Sequence, residues 1–379
     1  MVALKPRKSN KNPPILSHEF IIQNHADIVS CVAMVFVVGL LVQVTSPYAY
    51  IFIAVQHNVT DFNANGTFNP MLKYTTGWKD ACAVFFYFLI TIVMHAVVQE
   101  YILDKVSKRY RLSKTKLSRF NESSQLIIFY ALSVAWGADI IIRDNFVFNV
   151  PALWNDYPQP MSFSLKLFFI GQLAYWLHCY PELYFQRAKK EEIPHRVFEA
   201  TVGLVYTLGA YILNFQHVGV ALIVVHHMAE GIMHVAKLCH FINQKEKITQ
   251  GLFFVAKLLF VFARIFSVLS FGLFAYGLTK VENSLNIAEG KFNIPAIIFP
   301  ALAALLIFQF YLSYTFVKYH RERSKQDGTP SSSKVKVLKQ KPKKKEASKK
   351  SGGSEDEQVD SDYAATRKSP RFRNATKTK

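Results

Sequence analysis

Cysteine is scarce in this chain of 379 residues. There are four, Cys31, Cys82, Cys179 and Cys239, and no two stand in C-x-x-C spacing. Each falls in or at the edge of an apolar run, which excludes a zinc ribbon and a disulfide framework and leaves small apolar packers. Acidic residues are also short, 26 Asp and Glu against 45 Lys and Arg, for a formal net charge of +19. Catalytic signatures are missing: no P-loop, no G-x-G-x-x-G, no G-x-S-x-G elbow and no H-E-x-x-H occurs. Neither an ion-selective filter nor a strong internal repeat of the transporter kind is visible. The first 27 residues are hydrophilic and include Pro13-Pro14, so a cleavable signal peptide is not expected and the first apolar run serves as an uncleaved targeting signal.

Apolar residues are what the chain has in quantity. They make up 51% of it, and the mean hydropathy is +0.13 although residues 318–379 hold 19 Lys and Arg and 8 Asp and Glu. The apolar content is therefore concentrated before residue 318, in runs of about 20 residues, the length of a bilayer span. Lipid supplies no water to backbone groups, and the runs do not alternate with period two, so they read as helices. Eight spans are expected: 28–47, 81–101, 124–143, 163–181, 197–215, 218–239, 252–274 and 295–317. This excludes a soluble globular enzyme, a fibrous protein and a wholly disordered one. The fold class is all-α, a polytopic transmembrane helix bundle of about eight helices over 28–317. It lies between a cytosolic segment 1–27 and a disordered basic cytosolic tail 318–379, whose lysine run suits anionic headgroups or ribosomal RNA.

The loops set the orientation. Segment 102–120 carries seven Lys and Arg against Asp104, and 182–196 carries four. The opposite set is poor in them: 48–80 has Lys73 and Lys79, 144–162 has none, and 275–294 has Lys280 and Lys291. The positive-inside rule then places both termini in the cytosol, which an even number of spans satisfies. The sequons at Asn58 and Asn65 fall on the lumenal side and are expected glycosylation sites, whereas Asn121 and Asn374 fall on the cytosolic side and stay bare.

Ionisable groups inside spans mark interior surfaces. In the sixth span His226, Glu230 and His234 recur every four residues on one stripe, with Lys237 a turn further on; the seventh carries Lys257 and Arg264, and the fifth Glu199. The stripe fits a metal site, a proton-transfer site for acyl chemistry, or a polar seam between helices that stabilises the bundle or accommodates a polar peptide. The seam is the expected use, with Glu230 or Glu199 paired to Lys257 or Arg264. No catalytic residue, metal ligand or cofactor is expected.

Several longer strings carry a resemblance. Leu16-Ser-His-Glu-Phe20, Gln23-Asn-His-Ala-Asp-Ile-Val-Ser-Cys31, His95-Ala-Val-Val-Gln-Glu-Tyr101, Ser113-Lys-Thr-Lys-Leu-Ser-Arg-Phe-Asn-Glu-Ser123, Gln172-Leu-Ala-Tyr-Trp-Leu-His178 and Pro181-Glu-Leu-Tyr-Phe-Gln186 resemble the translocating chain-associated membrane proteins (TRAM) of the endoplasmic reticulum. The resemblance covers roughly 12–320, with a TLC-like core at about 113–320. It implies a multi-pass glycoprotein of the endoplasmic reticulum membrane beside the Sec-type translocon channel, with the ribosome nearby. Such a protein contacts nascent signal peptides and transmembrane segments and aids translocation of secretory proteins and insertion of membrane proteins. It is not an enzyme; membrane lipids, and a bound lipid, are further partners, and DNA is not. The same superfamily holds ceramide synthases, whose Lag motif uses adjacent histidines. Residues 195–202 read His-Arg-Val-Phe-Glu-Ala-Thr-Val, without a His-His pair, so a lipid-modifying acyltransferase or a lipid-binding protein is the alternative.

Overall fold

The computed structural model describes residues 14, 17–59, 72–110, 112–145, 149–154, 157–242, 245–281 and 284–328. Met1–Glu322 form one compact unit, and of the remainder only the helical stretch 323–328 is described. The tail expected to be disordered from 318 needs a correction over 318–328, which continue the last helix because its hydrogen-bonded turns run on past the apolar stretch; the rest of that tail and the sequon at Asn65 lie outside the described residues.

The described residues hold ten α-helices: α1 (His18–Gly39), α2 (Ser46–Ile53), α3 (Asp80–Val98), α4 (Asp104–Tyr110), α5 (Lys114–Arg143), α6 (Phe163–Phe185), α7 (Ile193–Ile212), α8 (Gln216–Phe241), α9 (Glu246–Lys280) and α10 (Pro295–Gly328). A π-helical turn, Gln99–Leu103, joins α3 to α4. Six of these segments are long and apolar enough to cross a membrane. The other two expected spans are α6 and α7, of 23 and 20 residues. Both carry polar side chains, and α6 buries Lys166, Gln172 and His178 in the interior. The large apolar side chains left exposed, among them Val35, Leu41, Leu269, Ile307 and Phe310, belong to the faces that lipid covers. The chain is a multi-pass, all-helical membrane protein.

The first span needs a correction. Its helix starts ten residues before position 28, at His18, where the Ser17 hydroxyl accepts from the Phe20 amide at 3.2 Å. The polar residues of its first turns are held by the end of α6: His18 Nδ1 lies 2.7 Å from the Tyr184 hydroxyl, Arg187 pairs with Glu19, and the His25 ring stacks on Phe185 at 4.2 Å. Nor does the helix reach 47. It stops at Gly39, the Thr45 hydroxyl donates to the Gly39 carbonyl at 2.8 Å, and a separate α2 begins at Ser46 with Pro47 in its first turn, where proline's missing N–H is tolerated.

Contacts along the helices give their directions. Asp80 of α3 meets Lys166 of α6, and His95 of α3 meets His178 of α6, so these two helices run parallel. In contrast, α5 and α8 are antiparallel: Ser133 meets His227 and Tyr130 meets His234. At one end of the unit β1 (Lys73–Tyr74) pairs antiparallel with β2 (Met161–Ser162). Tyr157 donates to the Leu213 carbonyl there at 2.9 Å, and Asn214, itself at positive φ, donates to the carbonyl of Gly290 at 2.8 Å. Burial pushes the Tyr157 phenol up to about 12, which keeps it a neutral donor. At the other end Arg196 joins Glu122 at 2.8 Å. The lysine-poor loops thus gather at one end, and the basic segment 182–196 meets the start of α5, which follows the basic segment 102–120, at the other.

The core lies where α5, α6, α7 and α8 meet, around Phe168, Phe169, Leu173, Tyr211, Val220 and Ile223. By comparison α10 is attached through long rings, Phe316 stacked on Phe260 at 4.5 Å and Tyr311 against Phe198 at 5.5 Å, and through Ile298 in a cluster with Trp154 and Phe215.

A candidate functional seam between the helices

The α8 stripe faces two neighbours. On the α9 side, Arg264 donates from Nη2 to His226 Nδ1 at 3.0 Å, and its guanidinium lies 4.9 Å from the Phe260 ring. Arg264 is only 8% exposed, and its Nε and Nη1 are buried without a hydrogen-bond partner among the described residues. Glu230 lies within electrostatic reach of both Arg264 and His226 without an ion pair to either. On the α5 side the His234 ring lies 5.9 Å from the Tyr130 ring. A guanidinium can only donate, so the lone pair of His226 Nδ1 is occupied and its proton sits on Nε2.

The expected seam is therefore assembled only in part. The structure brings His226 and Arg264 together, with Glu230 beside them and His234 one turn away. Lys257 is half-buried and makes no ion pair among the described residues. Glu199 faces outward on α7, 3.5 Å from His195, so it does not meet the α9 cations. The partner of Arg264 is an imidazole rather than either expected carboxylate, because the guanidinium reaches α8 a turn before Glu230.

Sequence reasoning missed three polar clusters. The neighbour of the stripe, His227, is the deeper histidine at 2% exposure. Its Nδ1 is 2.7 Å from the Ser133 hydroxyl, which also takes the Gln172 amide at 2.7 Å. Near the start of α6, Lys166 is fully buried; its Nζ is 2.8 Å from Asp80 Oδ1 and donates to the carbonyls of Gln56 and Thr75 at 2.8 and 2.6 Å. Tyr211 and the Gly77 amide complete the Asp80 shell, each at 2.8 Å from Oδ2. Near the other end of the same helix pair, His95, His178 and Glu182 converge. The signal available for all three was an isolated polar residue in an apolar run, which shows burial but not its partner.

Asn58 is exposed and bridges to Tyr74 at the end that holds the lysine-poor loops. Asn121 is half-buried in α5, where its side-chain oxygen is enclosed.

Comparison with known proteins fits this architecture. The family model for the TLC domain matches residues 119–318. The translocating chain-associated membrane protein 2 of Mus musculus is 40% identical over 317 residues, 82% of this chain and 83% of the relative. Its Homo sapiens counterpart is 40% identical over 304 residues, covering 79% and 80%. The sphingosine N-acyltransferase LAG1 of Saccharomyces cerevisiae is more distant, 23% identical over 180 residues that span 45% and 43% of the two chains. With that identity over four fifths of its length, the chain belongs to the translocating chain-associated membrane protein family and carries that family's TLC domain.

Proposed function

We propose that this protein is an accessory factor of the translocation channel in the endoplasmic reticulum membrane, contacting nascent signal peptides and transmembrane segments as they move sideways into lipid. The observation that carries the reading is the 40% identity over 317 residues with a translocating chain-associated protein. The seam gives it a physical basis. A segment carrying a few polar groups is costly to move into hydrocarbon. A half-satisfied guanidinium on α9, flanked by apolar lipid-facing surfaces, offers donors that lower this cost. The loosely attached α10 borders the same region.

The acyltransferase alternative is weakened by the chemistry of the stripe. A general base needs a free lone pair oriented by a third group, and Arg264 occupies that of His226. The match to the Saccharomyces cerevisiae sphingosine N-acyltransferase also covers less than half of this chain.

Photocrosslinking probes placed at His226, Glu230 and Arg264 in microsomes should reach a stalled, ribosome-bound signal peptide. Probes at Val35 and Leu269 on the outer faces should label lipid. Equal labelling of the peptide from both sets removes the seam from the path, and none from either removes the proposal.

The topology that goes with this function puts both termini in the cytosol and Asn58 in the lumen. Asn58→Gln should then remove an endoglycosidase-sensitive mobility shift, whereas Asn121→Gln leaves the pattern unchanged. A shift lost with Asn121→Gln reverses the orientation.

A further inference from the structure

We infer that α4 is a recognition element for anionic lipid: Ile102, Val106 and Tyr110 rest on the acyl layer at the edge of the bilayer, and Lys105, Lys108 and Arg109 take the phosphates of negatively charged headgroups. The element precedes residue 119, where the match to the TLC domain begins. It does not depend on the translocation reading; only the identity of the leaflet follows the topology proposed above.

The depth of α4 follows from α3. Trp78 and Tyr101 stand exposed at the two ends of that helix, and such rings prefer the boundary between hydrocarbon and headgroups. A lysine covers each of them. Lys79 Nζ lies 5.9 Å from the Trp78 ring centroid, and Lys105 Nζ lies 5.7 Å from that of Tyr101. The step from position 78 to position 101 is about 35 Å at 1.5 Å per residue, against ~30 Å of hydrocarbon. The chain therefore leaves the acyl chains near Tyr101, and α4 begins at the level of the headgroups. The π-helical turn Gln99–Leu103 falls at this same level, and such a turn lets a helix change direction.

Three stripes, each with a four-residue repeat, run along α4 and the turn before it. Leu103 and Ser107 are buried. Ile102, Val106 and Tyr110 are 50, 40 and 41% exposed. Lys105 and Arg109 are exposed, with Lys108 beside them. Successive residues of a helix are about 100° apart, so the apolar stripe lies between the buried one and the basic one. A helix on a membrane edge needs this order: protein on one side, acyl chains beneath, and phosphates beyond, within reach of long cationic side chains. The cations are available for this, since none of the three makes an ion pair among the described residues; Asp104 instead accepts from the Gln99 amide at 2.7 Å.

The two exposed stripes together select the occupant. A nucleic-acid backbone rewards cations but leaves Ile102 and Val106 in water. A lipid leaflet offers acyl chains and phosphates side by side, and it already lies at the height of α4.

The test uses the full chain in nanodiscs of phosphatidylcholine with and without phosphatidylinositol. Lipids retained on gentle detergent extraction, counted by mass spectrometry, should be enriched in phosphatidylinositol over the bulk mixture. A cation near an anionic surface contributes about fivefold in affinity, so the triple variant Lys105→Gln, Lys108→Gln and Arg109→Gln should lose at least that factor of enrichment. Lys189→Gln with Lys190→Gln, which removes exposed charge from the loop after α6 at the same end, should leave it largely unchanged. A nitroxide at Val106, in a chain freed of its native cysteines, should be relaxed by oxygen, and one at Lys108 by a water-soluble nickel chelate. Equal enrichment in the triple variant and the unaltered chain overturns the proposal, even if the labelled chains misfold. So does a Val106 label that the chelate reaches as readily as the one at Lys108. A Val106 label shielded from both reagents overturns it in favour of a protein partner.

Discussion

Replacing Lys166 with methionine should destabilise the purified protein by about 3–5 kcal/mol, the usual cost of removing one partner from a buried ion pair. The ammonium is fully enclosed, its Asp80 partner is 4% exposed, and methionine fills the space without supplying charge. Asp80 is then left as a buried carboxylate with only Tyr211 and the Gly77 amide to satisfy it, while the carbonyls of Gln56 and Thr75 lose their donor. Thermal unfolding in detergent should shift down by on the order of 10 °C. The double variant with Asp80→Asn should recover a large part of the loss, because the amide removes the stranded charge and still accepts from Tyr211 and Gly77. Strictly additive losses would show that the two groups do not act as a pair.

The second large effect is expected at Gly277 of α9. In an ordinary helix, Gly→Ala gains about 1 kcal/mol by lowering backbone entropy. Here a Cβ would sit 2.5 Å from Trp154 Cε2. The indole cannot withdraw, because it is 4% exposed and packed among Phe215, Phe274 and Ile298. Overpacking of this kind costs about 1–3 kcal/mol, so the substitution changes sign and destabilises, and Gly277→Val does so further. Gly272, five residues earlier in the same helix, has nothing within 4 Å of its would-be Cβ; alanine there should be neutral or stabilising. Melting curves of the two alanine variants decide the matter: equal shifts would mean that Trp154 does not press on α9.

The bundle was largely legible because its signal is local. An apolar run of span length must become a helix in lipid, and seven of the eight expected spans coincide with helical segments close to their expected positions, the fifth overrunning the end of α7 by three residues. The first was displaced because His18, Glu19, Gln23, His25 and Asp27 read as a hydrophilic leader. His18, Glu19 and His25 are held in the helix by partners at the end of α6, some 160 residues away: Tyr184, Arg187 and Phe185. The same limit governs the seam. Helical spacing placed His226, Glu230 and His234 on one face, but which of them meets Arg264 depends on the vertical offset of α8 against α9, and no spacing within one helix encodes an offset between two. Lys166 with Asp80, and His95 with His178 and Glu182, depend on α3 and α6 lying side by side in parallel. Neither run announces that neighbour, because a lone polar residue in an apolar helix looks alike whatever answers it.

The length of α9 has a bearing on the surrounding lipid. Its 35 residues extend about 52 Å at 1.5 Å per residue, well beyond the ~30 Å of an average hydrocarbon layer. Such a rod must lean, protrude or thicken the membrane beside it, at a cost of fractions of a kcal/mol per Å of mismatch. Thin bilayers force more tilt than thick ones, and a leaning α9 carries Arg264 with it. The depth of that cation is thereby tied to membrane thickness.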